Sequence, residues 1–516
     1  MTFDEKEHLR ADLIRAYEAA SQDEKAVIQT ASVFYQFVDR GKLLAALREC
    51  PASVVPGWLV RPKALDAILN ALSARGLLAH HERLGGYRCS DLLVEYATRD
   101  AVRKNHFGEL ARVVRSSREH YSFDTSFDKK MKELRIAAYL GEGRDQLVKI
   151  LSEIERFYPD AFQEKHPFLT IYNNPFDAET AASLPPEVQA DALVRIFIHS
   201  TLKLEPARDA VLFARALLSK SGSGNEYLSY GLAHYLIFQG NVEEAEQLLH
   251  GAGALAGAEA VRAWLSFLRA EDDKAITLYE SALVKLKKEM NKRKVYFKGV
   301  YGVYFPLLLL AGKDPVRAKQ ALEYIGYAER REEYGDIHDI LSYLKHYWVV
   351  ERGGELQPMM PELPLDEHCT MKHFFRVFIS LSLSPSTIRS AAEGLKAFLN
   401  QAKSHGFHLI AAELSELLFR LDGKNEEYGA EAAAFRQASG MRSVLDLIVP
   451  EEPWERSLAA LKNIGAIVSP VVNEKRLVWL FEYNEKGTCR VHPLEQKMSA
   501  KGGWSKGRAL AMYDLY

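Results

Sequence analysis

Similar helix pairs recur between residues 230 and 322, and this recurrence constrains the fold more than any other feature of the chain. Each of three units has an apolar helix, a short turn near Gly or Asp, and a second helix that opens on a small residue. These small residues are Ala245, Ala275 and Ala318. A small side chain lets two helices approach closely, and a later leucine or aromatic residue fills the gap to the next unit. The pattern therefore predicts stacked helix pairs.

Helix pairs of this kind are similar to tetratricopeptide repeats (TPRs). Such pairs cannot bury both faces alone, so a stack shares one long core and forms an α-α superhelix with a concave groove. In folds of this type the groove holds a peptide or a partner helix, which is an inference from fold analogy. The three alanines are unevenly spaced and no unit has the full consensus, so the number of repeats stays open.

The first 105 residues predict a winged-helix-like domain. Three helical stretches are followed by a strand at 77–80, a Gly85-Gly86 turn, a return strand at 87–89 and a further helix. A generic helical domain with one hairpin is the alternative. The third helix has basic residues only at its ends, Lys63 and Arg75. Because reading a DNA groove requires several donors along the helix, we predict that it packs against protein.

Two stretches rich in proline divide the helical region that follows. Residues 351–364 read ERGGELQPMMPELP, and residues 450–453 read PEEP. We predict a mainly α fold with four domains. They are a winged-helix-like domain at 1–105, TPR-like helical repeats at 106–350, further helical repeats at 351–450, and a small basic α+β domain at 451–516.

Composition restricts the environment and the partners. Of the 516 residues 47% are hydrophobic and 26% are charged, which is typical of a folded soluble protein. The net charge of -2 gives no global attraction to DNA or to an anionic membrane, so any nucleic-acid contact requires a local patch. Four scattered cysteines without a CxxC motif fit a reducing compartment. No apolar run reaches the roughly 18 residues of a membrane span, so we expect a cytoplasmic protein without a membrane partner.

Motifs for catalysis are missing from the sequence. It has no GxxxxGK[ST] phosphate-binding loop and no DEAH-type box. The run Asp366-Glu367-His368-Cys369 with His373 holds metal-binding residue types, but the two histidines are five positions apart and do not share a helix face as zinc-protease histidines do. We read this run as a polar helix start. The sequence thus predicts neither enzymatic activity, nor a cofactor, nor a metal for this chain.

A basic run lies within residues 285–294, where six of ten residues are cationic: Lys285, Lys287, Lys288, Lys292, Arg293 and Lys294. At helical pitch these residues wrap around a helix and do not form one stripe. One interpretation is the solvated end of a long helix. The other is a contact to a nucleic-acid backbone or to an acidic partner, favoured by release of counterions.

The C-terminal block is β-rich, basic and aromatic. Alternating residues predict a strand at 476–483, a turn at 484–487 and a return strand at 488–492. Trp504 follows, surrounded in sequence by four cations: Lys497, Lys501, Lys506 and Arg508. Cations and an aromatic ring together can bind a nucleic-acid backbone or stack a base. Alternatively, Trp504 packs this small domain onto its neighbour.

The order RLVWL, HPLEQK and GGWSKGRAL over residues 475–512 resembles the segment that precedes the motor in large bacterial Swi/Snf-type (superfamily 2) helicase-like ATPases. The resemblance implies that this chain is the non-catalytic N-terminal region, which recruits a partner or controls the motor. Its partner would be another protein or its own ATPase core, with DNA or RNA bound through the basic patches. Since no catalytic motif of the family is present, no catalytic residue is carried over. We expect the native chain to continue past Tyr516.

A second resemblance concerns residues 60–100, which are similar to the winged helix of STAND-type regulators, where it also precedes helical repeats. It implies an alternative function as a regulator fragment whose TPR-like superhelix senses a small ligand. A direct nucleic-acid-binding module is the remaining alternative. The phosphate-binding loop of STAND proteins is absent from the sequence.

Overall fold

A computed structural model of the chain describes residues 2–55, 61–81, 86–117, 126–221, 225–312, 314–331, 335–351, 368–383, 392–422, 426–448, 467–473, 476–483 and 489–493. The described residues are mainly helical, as predicted. None of their helices is both long and apolar enough to cross a membrane. The chain forms two compact units, Met1–Ile196 with Ala207–Lys220 and Phe197–Pro206 with Ser221–Tyr516. The finer division into four domains stays a prediction.

The first unit begins with helices whose starts are encoded locally. Thr2 and Glu5 form a capping box at the first helix, and Ser21 and Glu24 form another at the second. The elements up to residue 221 are α1 Phe3–Glu18, α2 Gln22–Phe34, β1 Val38–Asp39, α3 Arg40–Glu49, α4 Pro62–Ala74, β2 Leu78–His81, β3 Gly86–Cys89, α5 Val94–Arg103, α6 Phe107–Ser116, α7 Phe127–Tyr139, α8 Arg144–Phe157, α9 Pro159–Glu164, α10 Pro167–Tyr172, α11 Ala178–Ala182, α12 Pro186–Lys203 and α13 Arg208–Ser221. The last residues of α12, from Phe197 onward, belong to the second unit.

A small antiparallel sheet closes the N-terminal part of this unit. Its strand order is β1-β3-β2, with Val38 opposite Tyr87 and Leu78 opposite Cys89. The predicted hairpin is present as β2 and β3, while β1 is too short to give a sequence signal. Leu65, Leu69 and Leu72 place one face of α4 in the core, so its other face is left toward solvent.

A buried ion pair joins α5 to α7 within the same unit. Glu95 and Arg135 have exposed side-chain fractions of 0% and 1%, and Arg135 Nε donates to Glu95 Oε1 at 2.6 Å. The other guanidinium nitrogens donate to Ser32 O at 2.8 Å and to Thr98 Oγ1 at 2.9 Å. Tyr139 donates to the second Glu95 oxygen at 2.7 Å. This network therefore joins α7 to the earlier helices α2 and α5.

The second unit consists of successive helices and a C-terminal sheet. Its elements are α14 Glu226–Phe238, α15 Val242–Gly251, α16 Ala256–Leu268, α17 Asp272–Glu289, α18 Tyr301–Ala311, α19 Pro315–Glu329, α20 Asp336–Glu351, α21 Met371–Leu383, α22 Ala392–Ser404, α23 His408–Asp422, α24 Glu426–Ser439, α25 Leu445–Ile448, β4 Ile467–Asn473, β5 Arg476–Tyr483 and β6 Cys489–Pro493. Helices α14 and α15, α16 and α17, and α18 and α19 pack as pairs.

The three alanines singled out in the sequence occupy one equivalent place. Ala245, Ala275 and Ala318 are each the fourth residue of the second helix in their pair, and all three are buried. Their uneven spacing along the sequence has a structural cause. Helix α17 has 18 residues against 10 in α15, and a longer loop follows it. The second pair is thus longer than the first at the C-terminal end of α17.

The first helices of these pairs form the middle of three layers. Nearly every residue of α14, α16 and α18 is buried, whereas α15, α17 and α19 bury one stripe each. A helix that is apolar on all sides requires neighbours on all sides. In this unit α15, α17 and α19 cover one side, and helices from the C-terminal part of the unit cover the other.

Contacts from three C-terminal segments make up the third layer. The Phe375 ring of α21 lies 5.6 Å from that of Tyr304, between centroids. Phe435 of α24 covers the turn at Gly240, whose φ of +79° and lack of a Cβ permit the approach. Arg442 follows α24 and pairs with Asp272 at 2.5 Å, with its guanidinium 4.5 Å from the Phe267 ring centroid.

The C-terminal sheet is an antiparallel β4-β5-β6 meander, in which Val468 faces Glu482 and Phe481 faces Val491. Strand β5 has the predicted bounds, and β6 is shifted by one residue from the predicted return strand at 488–492. Strand β4, at 467–473, is additional to the two predicted strands.

Candidate interaction surfaces

The basic run at 285–294 lies partly on a helix and partly on a loop. Helix α17 ends at Glu289, and Asn291 adopts a left-handed φ of 49°. The Lys292 N–H then donates to Lys287 O at 3.0 Å, which is the closing bond of a Schellman motif. The expectation that all six cations wrap around one helix is therefore wrong, since Lys292, Arg293 and Lys294 follow the helix end.

One of the six predicted cations is occupied within the fold. Lys285 forms an ion pair with Glu259 of α16 at 2.5 Å. One turn further on, Glu289 Oε1 accepts the Ala256 N–H at 3.0 Å, at the start of α16. The side of α17 that holds Lys285 and Glu289 thus attaches to α16, and Lys285 is not available to a partner.

The other five predicted cations are exposed: Lys287, Lys288, Lys292, Arg293 and Lys294. Lys298 in the same loop is exposed as well. Within the described part of the chain, no ion pair or hydrogen bond engages the side chain of any of these six residues. We call residues 287–298 the basic segment.

The end of α19 lies beside the basic segment. The Phe297 N–H donates to the Tyr324 hydroxyl at 3.0 Å, and the rings of Tyr296 and Tyr327 are 6.0 Å apart between centroids. Arg330 and Arg331 are exposed at this end, and the Arg331 guanidinium lies 5.8 Å from the Tyr327 ring centroid. The sequence did not predict these arginines, because two helices, α18 and α19, separate them from the basic run. The sequence signal that could have identified them is their place directly after α19, which corresponds to the place of Lys292 and Arg293 after α17.

A close backbone approach fixes the return of this loop into α18. A Cβ added to Gly302 would lie 2.6 Å from Phe297 O, whereas a Cβ at Gly326 of α19 meets no atom within 4 Å. We expect Gly302→Ala to destabilise the second unit by about 1–3 kcal/mol through overpacking. Gly326→Ala is expected to stabilise it by up to about 1 kcal/mol, because alanine favours the helix. Urea unfolding followed by tryptophan fluorescence distinguishes the two signs, and equal effects of both substitutions would contradict the predicted approach.

The predicted C-terminal contact residues lie outside the described residues. These are Lys497, Lys501, Trp504, Lys506 and Arg508. The metal-type run is described only from His368 onward, where the Thr370 N–H donates to His373 Nδ1 at 3.0 Å and Gln401 contacts the Cys369 backbone. Over the described ranges, no group of three potential metal ligands comes together.

One side of the stacked helix pairs is covered by the chain itself, and the predicted partner groove stays a prediction. The side of α14, α16 and α18 that faces away from α15, α17 and α19 contacts residues between 371 and 445. Here Glu413 of α23 is 1% exposed and accepts from Ser443 Oγ at 2.9 Å, and burial raises its pKa. This polar contact joins two segments of the third layer. The inner face of the stack is thus an internal packing surface.

A histidine lies at the centre of the middle layer. His234 of α14 is 1% exposed and is surrounded by the rings of Trp264, Tyr301 and Phe238, at 5.5, 5.1 and 5.4 Å between centroids. Among the described residues neither of its ring nitrogens has a hydrogen-bond partner, and the same holds for Trp264 Nε1. Burial lowers the pKa of His234 to about 3, so the ring is neutral at physiological pH.

The solvent side of α4 bears small residues, with Ala67, Asn70, Ala71 and Ala74 exposed. Arg75, at the end of the helix, is held by Glu24 at 2.8 Å and by Ala16 O at 2.7 Å. Within α4 itself, the exposed side thus presents few donors, Lys63 at its start and Asn70 in its middle.

Comparison with known proteins adds no relative, since neither a family model, nor a curated protein, nor a solved structure matches this chain.

Proposed function

We propose that this chain is a non-catalytic regulatory and protein-interaction region, with a winged-helix-like domain followed by a TPR-like superhelix. The observation that carries the proposal is the equivalence of Ala245, Ala275 and Ala318 in three stacked helix pairs. Stacked pairs of this type are extended binding scaffolds in many proteins, and function on such a scaffold depends on its surface.

The winged-helix assignment for residues 1–105 rests on the element order and on the sheet. Helices α2, α3 and α4 precede the β2–β3 hairpin, and β1 pairs at the edge in the order β1-β3-β2. The exposed side of α4 supports protein binding over DNA reading, because small side chains allow another helix to approach while offering few donors to base edges.

We further propose that this region precedes the motor of a bacterial Swi/Snf-type DNA-dependent ATPase and recruits a partner or controls that motor. Support comes from the resemblance over residues 475–512, whose strands lie in the β4-β5-β6 meander. In this proposal the small basic α+β domain docks onto the motor. The STAND-type alternative rests on residues 60–100 alone and stays a prediction.

Two experiments test the proposal. The purified 516-residue chain is expected to hydrolyse no ATP above a buffer blank, with or without duplex DNA; DNA-stimulated turnover would contradict a non-catalytic role. Sequencing the native gene beyond the codon for Tyr516 is expected to reveal a helicase core. A stop codon or an unrelated domain there would overturn the assignment to the Swi/Snf type while leaving the interaction role open.

A further inference from the structure

We propose that the basic segment, together with the end of α19, binds the phosphate backbone of a nucleic acid. The binding surface consists of the exposed cations at 287–298 and of Arg330 and Arg331. This inference does not depend on the proposed regulatory function, since it concerns a charged surface and not the stacked core.

The cations lie on the extra length of the second helix pair. Compared with α15, helix α17 continues for two further turns, and the loop 290–300 follows. The loop that follows α15 in the first pair, 252–255, is shorter. The cations therefore lie on a length of helix and loop that the first pair does not have. Insertions in repeat proteins map to surface loops and often form the binding face.

The cations are not neutralised by the fold. Over the described residues, ion pairs occupy basic side chains on many helices, such as Lys274 with Glu271 and Lys403 with Glu431. The six cations of the basic segment have no such partner in the same part of the chain. The negative end of the α17 dipole explains a preference for Lys287 and Lys288, but its effect falls off beyond the last turn and leaves Lys292–Lys298 unexplained.

Buried residues of the loop hold the basic segment against the fold. Val295 and Phe297 are 7% and 4% exposed, and the Phe297 N–H is bound by Tyr324. The contact between Tyr296 and Tyr327 holds the loop against α19. Cations from two parts of the chain are thus presented on a fixed support, so binding loses less conformational entropy than it would with a free loop.

The composition of this surface favours nucleic acid over an acidic protein. Protein interfaces have an apolar centre from which charged residues are depleted. Of the nine exposed residues between 287 and 298 six are cationic, and Met290, at 42% exposure, is the one large apolar side chain among those nine. The nearby carboxylates Glu289 and Glu329 are engaged by Ala256 N and by Lys345. Protein–nucleic acid interfaces are polar and strongly positive in this way.

The test is fluorescence anisotropy of the full 516-residue chain with a labelled 20-nucleotide single strand and with the corresponding duplex, over a series of salt concentrations. The variant Lys292→Gln, Arg293→Gln, Lys294→Gln is expected to bind at least about tenfold more weakly at 0.1 M salt. The magnitude of the slope of log K against log salt is expected to fall by roughly 2–3, at 0.7–0.9 for each lost phosphate contact. The probe that binds more tightly, single strand or duplex, identifies which form of nucleic acid supplies the phosphate backbone.

A matched control removes the same charge elsewhere in the unit. Lys274→Gln, Lys396→Gln, Lys403→Gln changes ion-paired lysines on α17 and α22 and should leave affinity and slope unchanged. Equal melting temperatures of both variants show that the fold is retained.

Three results would overturn the proposal. The first is no binding of either probe at 25 mM salt. The second is that a variant of the C-terminal residues (Lys497→Gln, Lys501→Gln, Lys506→Gln, Arg508→Gln) loses binding, whereas the variant at 292–294 binds as tightly as the native chain. The third is displacement of the oligonucleotide by a polyglutamate of equal charge at equal concentration, which would identify an acidic protein as the partner.

Discussion

Replacing Arg135 by methionine is expected to destabilise the first unit by about 3–5 kcal/mol, because the substitution leaves the Glu95 carboxylate buried without its counter-ion. Both side chains are at most 1% exposed. Methionine also cannot satisfy Ser32 O or Thr98 Oγ1, which now accept from the guanidinium. An unsatisfied buried polar group adds to the cost.

Hydrogen exchange read by mass spectrometry is the suitable measurement. Tryptophan fluorescence is less suitable, because the buried Trp264 belongs to the second unit and does not report on the first. Amides of α5 and α7 are expected to exchange much faster in Arg135→Met than in the native chain. Combining Arg135→Met with Glu95→Leu should restore part of the protection, since no charge is left buried. A double variant that exchanges faster than both single variants would contradict a charge-based mechanism.

The stability of the second unit is expected to fall as the pH decreases below 6.5, through His234. The unfolded ring titrates near 6.5, whereas the pKa in the fold is lowered to about 3 by burial. Between these values the unfolded state binds more protons than the folded state, so acid favours unfolding. The contribution is complete above pH 6.5 and is lost by about 1.4 kcal/mol per pH unit as the pH falls toward 3.

The variant His234→Phe keeps an aromatic ring in this cluster and removes the titration. Relative to the native chain, its free energy of unfolding should rise by about 3 kcal/mol on going from pH 7.5 to pH 4.5. Urea titrations at several pH values, followed by tryptophan fluorescence, to which the adjacent Trp264 contributes, measure this difference. His250→Gln changes an exposed histidine of α15 and is the control. Parallel pH curves for the native chain and His234→Phe would show that His234 does not contribute.

Local features of the fold were predictable from the sequence. The hairpin of β2 and β3 follows from short-range rules. The alanines at 245, 275 and 318 identified the helix pairs because close packing tolerates little else at that place. Their uneven spacing obscured the repeat, since the extra residues fall in α17 and its loop, which repeat logic does not constrain.

Features that depend on distant residues were not predictable. Apolar residues at nearly every position of 301–310 show that α18 is buried on all sides, but they do not show which segment covers it. The cover lies between residues 371 and 445 and is a matter of tertiary packing. Likewise, Glu95 and Arg135 are ordinary charged residues in their own helices, and only the fold brings them together. Arg330 and Arg331, which directly follow α19, are part of the candidate surface for the same reason.

The three-layer arrangement of the second unit changes how it folds. An ordinary repeat array gains stability one unit at a time, because each repeat contacts only its neighbours. Here α14, α16 and α18 are complete only when residues of the third layer, from Met371 to Leu445, are in place. Such long-range contacts close late and slow folding. During synthesis the apolar side of the stack is exposed until that later part of the chain emerges, and this interval is the time when a chaperone has a surface to bind.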